Sequence, residues 1–339
     1  MILIDAIYIN SFGGKEILEL IIEKILKSNI KYYFIIDSRL KSRWLKKIQT
    51  NNYTLVYASH KNRKRFYKKN LNRFSSILCL SNIPPPIHTS IKTSIFFHNN
   101  LLLNPNISDI SLKERLFNFL KLIYIKYYNQ KDYKWIVQTA LNKKLLQESI
   151  NIVSNQISTY PIFRNELILN PTKKIKDNFV YISSGVPHKN HMRLIKAFDE
   201  VSKKIDRKII LNLTLKKEEL NFKKESNNLK IKFYGNLSKE GVNKLYSFND
   251  FAIYPSLVES FGLPLIEAAN YKCKVIASDL PYVHEIIEPS LTFDPRSIKS
   301  ISNSILKALK TSDLPETKIL IDNQIDHLLE FIINQDVKL

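Results

Sequence analysis

Two glutamates flank a glycine and a proline in the segment 255–268, which reads PSLVESFGLPLIEA. Carboxylate oxygens accept hydrogen bonds, so Glu259 and Glu267 could together hold two hydroxyl-bearing parts of one ligand. The spacing alone has a plainer explanation, in which Glu267 complements a helix dipole and Glu259 is a solvated loop residue. The neighbouring residues decide between the two interpretations.

The same segment has the pattern of a strand end, a turn and a helix start. The apolar run 251–254 predicts a short strand, and Pro264 suits the first position of a helix, expected over residues 264–271 with Glu267 in its first turn. Gly262 allows the backbone to approach a ligand closely. The N–H groups before and at this helix start can bind phosphate oxygens or sugar hydroxyls; they belong to Ser260, Phe261, Gly262 and Leu263.

This segment resembles the carboxyl-terminal signature of glycosyltransferase family 4, whose members are retaining enzymes of GT-B fold that use nucleotide-activated sugars. Segment 179–198, FVYISSGVPHKNHMRLIKAF, is similar to the first strand, loop and helix of the family's donor domain and includes Lys189 just before the helix. Segment 231–237, IKFYGNL, matches the strand and glycine turn between the other two. Three ordered motifs make the match specific, although the amino-terminal half resembles the family only loosely.

The resemblance implies a role for each of several residues. Glu267 would hold the ribose hydroxyls and Glu259 the transferred sugar, while Lys189 would stabilise the diphosphate. The implied catalytic residues are Glu259, Lys189 and His98. The implied donor-binding residues are Gly185, His188, Lys189, Arg193, Gly235, Ser260, Phe261, Gly262, Leu263 and Glu267.

Some of these assignments have structural alternatives. Gly13 and Gly14 resemble the family's glycine loop, which faces the crevice on the acceptor side, but a Gly-Gly pair can also form an ordinary turn. His98 follows a predicted strand and resembles a histidine near the transferred sugar, yet a lone histidine is often structural. His188 and Arg193 would assist the diphosphate or simply lie exposed at a helix start.

One departure concerns the diphosphate. Family members usually have an arginine five residues before the lysine, where this chain has Ser184, so Lys189 would act with Arg193 or His188. No metal is expected, because the sequence lacks a D-x-D motif and a His/Asp cluster. No cofactor is expected either: a UDP- or GDP-linked sugar is the substrate, and the departing phosphate would help to deprotonate the incoming hydroxyl.

The elements that must position these residues alternate between strand and helix. The chain begins with a strand over 3–9, a glycine loop and a helix over 15–28. Further strands are predicted at 31–37, 54–58, 76–80, 93–97, 135–138, 156–160, 208–214, 230–234, 250–254 and 274–277, and helices at 191–203, 239–248 and 296–309. This alternation predicts an α/β protein with parallel, doubly wound sheets, and the resemblance implies GT-B, with two Rossmann-like domains facing a crevice.

The length of 339 residues and the hydrophobic content of 44% allow two cores. The polar stretch 164–177 is the candidate linker. We therefore expect two domains, over 1–165 and 166–315, followed by a terminal segment over 316–339 that is helical from 316 to 333. The resemblance implies that the first is the acceptor-side domain, that the second is the nucleotide-sugar donor domain, and that the terminal segment crosses back to the first.

The net charge of +21 lies mostly in the amino-terminal half. Between Asp37 and Asp109 there is no acidic residue, whereas the interval contains Arg39, Lys41, Arg43, Lys46, Lys47, Lys61, Arg63, Lys64, Arg65, Lys68, Lys69, Arg73 and Lys92. Lysine-rich composition alone could produce a solvated basic face. The absence of acids favours a surface for an anionic partner, either a phosphate-bearing acceptor or an anionic membrane.

Segment 115–128 has apolar residues at helical spacing with interspersed lysines. It could lie on a membrane surface, but a core helix with lysines extending to its edges is the favoured interpretation. The two cysteines, Cys79 and Cys273, lack disulfide or metal spacing, and no apolar run is long enough to span a bilayer. These features predict a cytoplasmic protein, peripheral at the inner face of the cell membrane.

The resulting hypothesis is a metal-independent retaining hexosyltransferase that moves a sugar from a nucleotide sugar to a hydroxyl of a glycan or lipid-linked acceptor. The implied setting is bacterial surface polysaccharide synthesis, of lipopolysaccharide, O-antigen or capsule. The alternative is a non-catalytic protein that binds polyanions or nucleic acid on a GT-B scaffold. No nucleic-acid-binding motif supports it, so no nucleic acid partner is expected.

Overall fold

The computed structural model describes residues 1–10, 12–40, 43–103, 112–165, 173–220 and 226–336. The chain divides into two compact units. The first, here the amino unit, comprises Met1–Asn106, Ser111–Arg164 and Asp322–Leu339, and the second, the carboxyl unit, comprises Ile107–Ile110 and Asn165–Ile321. The central residues of the expected linker, 166–172, lie outside the described residues.

The amino unit is built on a seven-stranded sheet whose strands all run parallel. Its strands are β1 (Ile2–Ala6), β2 (Tyr32–Asp37), β3 (Tyr53–Val56), β4 (Ser76–Cys79), β5 (Lys92–Phe96), β6 (Lys134–Val137) and β7 (Ile157–Thr159), in the order β3-β2-β1-β4-β5-β6-β7. The helices between them are α1 (Phe12–Leu26), α2 (His60–Asn70), α3 (Asn100–Leu103), α4 (Leu112–Tyr128) and α5 (Ala140–Ile150).

The carboxyl unit contains a second parallel sheet, of six strands. Its strands are β8 (Ile175–Tyr181), β9 (Ile209–Leu213), β10 (Leu229–Phe233), β11 (Asn249–Tyr254) and β12 (Lys274–Ser278), with a short pair β13 (Ile287–Glu288) and β15 (Lys318–Ile319) outside it and β14 (Leu291–Phe293) at one edge. The order is β10-β9-β8-β11-β12-β14. The helices are α6 (His191–Ser202), α7 (Lys239–Phe248), α8 (Leu263–Asn270), α9 (Pro281–His284) and α10 (Ile298–Lys310).

Both sheets follow from strands that are apolar on two faces. Every residue of β1 is buried, and helices cover parallel sheets on both sides, so such strands form continuous apolar runs rather than alternating ones. The last helix, α11 (Ile325–Asp336), contributes to the amino unit, because its Ile325 and Leu328 pack in the same core as Ile4 and Phe34. The expected α/β architecture with two doubly wound parallel sheets is confirmed.

The strand order reverses between β1 and β4 in the amino unit and between β8 and β11 in the carboxyl unit. Ligands of open parallel sheets bind outside the carboxyl ends of the strands at such reversals. In the carboxyl unit, the loops at this position are those that follow β8 and β11. These loops carry the two segments that the sequence singles out most strongly, around Lys189 and Glu259.

Several predicted boundaries were wrong. Gly13 and Gly14 lie in the first turn of α1 rather than in a loop, because that helix starts at Phe12. The helix after Gly262 starts at Leu263, one residue before the proline, and this places Glu267 fifth in α8, beyond its first turn. The helix expected from residue 316 starts at Ile325, preceded by β15.

Arg63 was wrongly grouped with the basic surface residues. Its side chain is fully buried, and its Nε donates to Asp5 Oδ2 at 2.7 Å. The same guanidinium donates to the carbonyl oxygens of Pro84 at 2.8 Å and Ile83 at 3.4 Å. Asp5 Oδ2 also accepts a hydrogen bond from Tyr67. Arg63 therefore stabilises the core around β1, because a buried charge needs an ion pair and hydrogen bonds.

The favoured interpretation of segment 115–128 as a core helix was also wrong. In α4 only Ile125 is buried, Leu122 and Tyr124 pack partly against the core, and seven other large side chains are between 49% and 83% exposed. The exposed residues are Leu112, Leu116, Phe117, Phe119, Leu120, Ile123 and Tyr127. The part of the chain that the structure describes contains no helix long and apolar enough to cross a membrane.

Candidate functional site

Gly262 forms the entry to α8 in a conformation that favours glycine. It is the residue before the helix and has a φ of 93°. A Cβ at this position would lie 3.0 Å from Ile286 Cδ1 and 3.1 Å from Leu265 Cδ1, so a side chain would strain both backbone and packing. Glycine here allows the chain to turn directly from the loop after β11 into the helix.

Lys189 and Glu259 are brought together at the point where the strand order reverses. Lys189 Nζ lies 2.6 Å from Glu259 Oε1, and both side chains are mostly buried. The two loops that carry them are joined by backbone, since the N–H of Leu257 donates to the carbonyl of His188 at 2.9 Å. The hydroxyl of Tyr181 donates to the carbonyl of Lys189 at 2.9 Å. The pair is therefore held by the fold rather than by two mobile side chains.

Asn190 fixes the end of the lysine loop, and nothing in the sequence analysis singled it out. It is buried, with a φ of 63°, and its Nδ2 donates to the carbonyls of Pro255 at 3.0 Å and Pro295 at 2.7 Å. Its Oδ1 accepts from Arg193 Nη1 at 2.8 Å. Asparagine tolerates a positive φ better than most residues, so an Asn between a short turn and a helix could have indicated this role.

A cavity of about 550 Å³ opens beside this loop in the carboxyl unit. Its lining includes Gly185, Arg193, Lys196 and Glu219. A Cβ on Gly185 would lie only 2.9 Å from Glu219 Oε2, so the glycine leaves room for that side chain. Arg193 and Lys196 give the cavity two cationic side chains near Ser184, which occupies the position where the family usually has arginine. Lys196 was not identified from the sequence.

Histidines beside the cavity differ in environment. Burial, with smaller contributions from the charges of Lys189 and His188, lowers the pKa of His191 to about 3. Its Nε2 lies 2.9 Å from the hydroxyl of Ser183. His191 is therefore a neutral residue that fixes the loop after β8. The backbone carbonyl of His188 accepts the hydrogen bond from the N–H of Leu257.

Glu267 has a lysine partner that the sequence did not predict. Lys239 Nζ, at the start of α7, lies 2.5 Å from Glu267 Oε1. The hydroxyls of Tyr246 and Tyr254 both donate to the carbonyl of Pro264, at 3.2 and 3.0 Å, and lie 2.7 Å from each other. Thus α7 holds α8 at two points. Gly235, with a φ of 62°, makes the turn after β10 that leads into α7.

His98 and Gly14 meet at the carboxyl ends of the strands in the amino unit. A Cβ on Gly14 would lie 3.4 Å from His98 Nε2, so glycine permits the helix start to approach the imidazole. Asn82 Oδ1 accepts from the backbone N–H of His98 at 2.6 Å, and its Nδ2 lies 3.4 Å from His98 Nε2. By contrast, no atom within 4 Å would meet a Cβ on Gly13.

The imidazole of His98 is neutral at physiological pH. Burial, with a smaller contribution from the charge of Lys121, lowers its pKa to about 4. Its Nδ1 is buried and has no hydrogen bond partner among the described residues. Since Nε2 faces the amide nitrogen of Asn82, the arrangement favours the tautomer with the proton on Nδ1.

The arrangement in the carboxyl unit suits an anionic, hydroxyl-bearing ligand. Lysines and backbone N–H groups lie at the carboxyl ends of parallel strands, and each carboxylate that the sequence selected has a lysine within ion-pair distance. No group of three or more His, Cys, Asp or Glu residues suited to a metal ion occurs within the described ranges.

Comparison with known proteins identifies the family. The sequence profile described as Glycosyl transferases group 1 matches residues 164–324, which include both loops of the site. This part of the chain, just under half of its 339 residues, belongs to the glycosyltransferase family. The match covers the segment with Lys189, Glu259, Lys239 and Glu267, so the family assignment rests on the unit in which these residues lie.

Two curated relatives of the chain are mannosyltransferases. The O-antigen chain mannosyltransferase RfbU of Salmonella typhimurium is 28% identical over 163 residues, which are 47% of this chain and 44% of that protein. The O-antigen chain mannosyltransferase B of Escherichia coli is 32% identical over 81 residues, 24% of this chain and 21% of that protein. The chain thus spans less than half the length of these relatives.

Solved structures show the same fold over most of the length of the chain. WaaG, a glycosyltransferase involved in lipopolysaccharide biosynthesis, superimposes with a TM-score of 0.66 at 14% identity, covering 92% of this chain and 91% of WaaG. A sucrose-phosphate synthase from Thermosynechococcus elongatus gives a TM-score of 0.69 at 13% identity, covering 91% and 89%. The expected GT-B fold is confirmed.

Proposed function

We propose that this glycosyltransferase moves a hexose from a nucleotide sugar to a hydroxyl of a glycan or lipid-linked acceptor, with retention of configuration. The observation that carries the proposal is the Lys189–Glu259 pair, held at 2.6 Å in the family-matched unit where the strand order reverses. A cation beside a carboxylate at this position suits a ligand that combines a diphosphate with a sugar.

Each side chain has a separate part in the proposed reaction. As the bond between sugar and diphosphate breaks, negative charge grows on the leaving phosphate, and Lys189 stabilises it together with backbone N–H groups at residues 261–263. Glu259 accepts hydrogen bonds from the sugar hydroxyls, and Glu267 from the ribose hydroxyls. The departing phosphate takes the proton of the acceptor hydroxyl on the same face, so no protein nucleophile takes part.

We further propose that the reaction needs no metal ion and no cofactor. Arg193 and Lys196 line the cavity beside Gly185 and give it positive charge. A nucleoside diphosphate can be neutralised by such fixed cations, and this is the role that a divalent ion has in other phosphate sites. The donor would be UDP- or GDP-linked.

The names of the relatives favour bacterial surface polysaccharide as the setting. RfbU and the Escherichia coli protein are O-antigen chain mannosyltransferases, and the WaaG structure is of a lipopolysaccharide enzyme. We therefore propose lipopolysaccharide or O-antigen synthesis, with mannose as the first sugar to test. Phosphate-bearing acceptors of this kind would also suit the excess positive charge of the amino-terminal half.

The direct test is transfer by the purified protein. It is incubated with UDP- and GDP-linked hexoses, including mannose, and with lipid extract from a bacterium lacking O-antigen polymer. Release of nucleoside diphosphate together with a labelled lipid product is the expected result. The alternative, a non-catalytic polyanion-binding protein, would be favoured by a different result. The protein would then bind none of these donors and release no nucleotide, but would be retained on a resin that carries a polyanion.

We propose that the protein attaches to the cytoplasmic face of an anionic membrane through α4 and α2. One side of α4 exposes the stripe Leu112, Leu116, Leu120 and Ile123 to solvent, a spacing that places these residues along one helix face. Apolar side chains in that arrangement can insert below lipid headgroups. Contiguous exposed apolar side chains mark surfaces that bind a protein or a membrane.

The neighbouring helix supplies the charge that selects anionic lipid over a protein partner. The ring of His60 on α2 lies 5.6 Å from that of Tyr124 on α4, so the two helices adjoin. Helix α2 contains no acidic residue, and its exposed basic residues are Lys61, Arg65, Lys68 and Lys69. A basic face beside an apolar face matches the headgroup and acyl regions of an anionic leaflet.

A further inference from the structure

Lys239 is a second lysine of the donor unit that forms a close ion pair with a site carboxylate. Its Nζ lies 2.5 Å from Glu267 Oε1, and its side chain is 31% exposed against 20% for the glutamate. Ser238 caps α7, so Lys239 occupies the first position of that helix, immediately after the turn at Gly235. The pair therefore lies at the carboxyl edge of the sheet, where the ligand loops are.

The helix that carries Lys239 is rigidly connected to the helix that carries Glu267. Lys239 and Tyr246 lie seven residues apart on α7, which places them on the same face of that helix. Tyr246 is fully buried and donates to the carbonyl of Pro264 in the first turn of α8. Tyr254, on β11, donates to the same carbonyl. With these contacts in place, the distance between Lys239 and Glu267 is set by the core.

The ion pair gives Lys239 a function in ligand binding. Glu267 would hold the ribose of a nucleotide, and for this its carboxylate must face the two ribose hydroxyls. A lysine on one carboxylate oxygen restricts the rotation of the carboxylate. This restriction favours a carboxylate that is already oriented for the hydroxyls before the ligand arrives.

We propose that Lys239 is a positioning residue for the nucleotide, which acts through Glu267 to make binding depend on the ribose 2′- and 3′-hydroxyls. The inference rests on the proposed donor site and adds to it the residue that sets ribose recognition. Lys239 does not contact the diphosphate in this account. Removal of Lys239 therefore weakens only the part of the nucleotide affinity that comes from the ribose. Removal of Lys189 weakens the part that comes from the diphosphate.

The test compares two ligands by calorimetry, UDP or GDP, whichever binds the wild type, and its 2′,3′-dideoxy analogue. Wild type should bind the ribose form about 10-fold more tightly, as expected for hydrogen bonds to a charged group. Lys239→Ala and Glu267→Gln should each remove most of this preference while leaving the dideoxy affinity nearly unchanged. The double variant should be no weaker than Glu267→Gln, because the lysine acts through the glutamate.

Lys244→Ala is the matched control, since Lys244 lies on the same helix and is exposed. It should retain the full preference for the ribose form, and Lys239→Arg should retain part of it. Equal loss for both ligands in Lys239→Ala, or additive losses in the double variant, would overturn the role of Lys239 while leaving the donor site intact. Wild type that binds neither nucleotide would instead overturn the donor site itself, and this inference with it.

Discussion

Lys189 Nζ and Glu259 Oε1 lie 2.6 Å apart, so the cation proposed for the diphosphate and the carboxylate proposed for the sugar neutralise each other. Their loops follow two adjacent strands, β8 and β11, and are joined by the Leu257–His188 backbone hydrogen bond. An arriving diphosphate must compete with Glu259 for the ammonium group. Each of the two mostly buried charges is thus compensated by the other until the donor replaces the internal partner.

This pairing predicts different kinetic effects for its two members. Lys189→Ala should weaken nucleotide binding and lower transfer by about 10²–10³-fold, because a preorganised electrostatic contact to the leaving group is lost. Glu259→Gln should lower transfer by a similar factor while nucleoside diphosphate binds at least as tightly, since Lys189 no longer has a competing carboxylate. The measurements are kcat, KM for the donor, and Kd for the diphosphate.

Lys203→Ala serves as the control for these two variants, because Lys203 pairs with Asp199 on the exposed side of the same unit. It should leave all three constants unchanged. Wild-type kinetics in folded Lys189→Ala or Glu259→Gln protein would remove that residue from the site.

Metal independence makes a simple prediction. Transfer should continue at an undiminished rate in excess EDTA, because Lys189 and the cavity residues Arg193 and Lys196 supply positive charge for the diphosphate. Initial rates are measured before and after dialysis against EDTA, with Mg²⁺ and Mn²⁺ added back. Loss of activity on chelation with recovery on adding either ion would show that the fixed cations do not suffice.

The sequence predicted the elements of the carboxyl unit well because its signals are local. A glycine turn, a helix-start proline and a lysine before a helix reveal themselves in a few neighbouring residues. Lys239 and Asn190 act over long sequence separations, through Glu267 and Pro255, and no local pattern marks them. Such partners are set by packing, which a single sequence does not show.

In the amino unit, too, the sequence does not show which charged and apolar side chains are buried. Arg63 belongs to a run of basic residues on α2 and has nothing in its sequence neighbourhood to distinguish it from Lys61. Its burial depends on Asp5, on another element of the fold. Likewise, apolar spacing in α4 predicted an amphipathic helix but not whether its apolar face would meet a core or solvent.

Arg63 should therefore be essential for stability. Arg63→Ala leaves the Asp5 carboxylate buried without its cation, and we expect a loss of about 3–5 kcal/mol in the free energy of unfolding. Lys61→Ala, on the exposed part of the same helix, should change it by no more than about 0.5 kcal/mol. Urea unfolding followed by circular dichroism measures both. Equal stability of the two variants would contradict the buried ion pair.

Two buried histidines should make the protein sensitive to acid. Burial lowers the pKa of His98 to about 4 and that of His191 to about 3, below the usual value of 6.5. The unfolded chain therefore binds more protons than the native one between about pH 6.5 and 4. Stability is full above pH 6.5 and falls as the pH drops, by up to about 1.4 kcal/mol per pH unit for each histidine.

Unfolding free energies at pH 7, 6, 5 and 4.5 test this dependence. His98→Asn and His191→Asn should each flatten the slope, whereas His284→Asn, at an exposed histidine paired with Asp279, is the matched control. A slope that neither buried-site variant changes would assign the acid sensitivity to other groups.

The proposed membrane surface separates into a charged and an apolar part. Replacement of Lys61, Arg65, Lys68 and Lys69 by alanine should weaken attraction to anionic vesicles by about 1 kcal/mol for each residue near the surface. Because this attraction is screened by salt, the variant should differ most from wild type at low ionic strength. Arg63 is left unchanged, since its removal would destabilise the core rather than alter the surface.

Replacement of Leu116, Leu120 and Ile123 by serine tests the apolar part. These side chains are exposed in the free protein, so their loss should cost little stability while removing up to about 1.5–3 kcal/mol of insertion energy each. Binding that persists in high salt should disappear in this variant. The matched control for the variant that lacks the four basic residues of α2 removes as much positive charge elsewhere: Lys230, Lys299, Lys307 and Lys310, all exposed in the carboxyl unit, are replaced by alanine. It should sediment with anionic vesicles like wild type. If the serine variant and wild type co-sediment equally at every salt concentration, α4 does not insert, and its apolar face must bind something other than lipid.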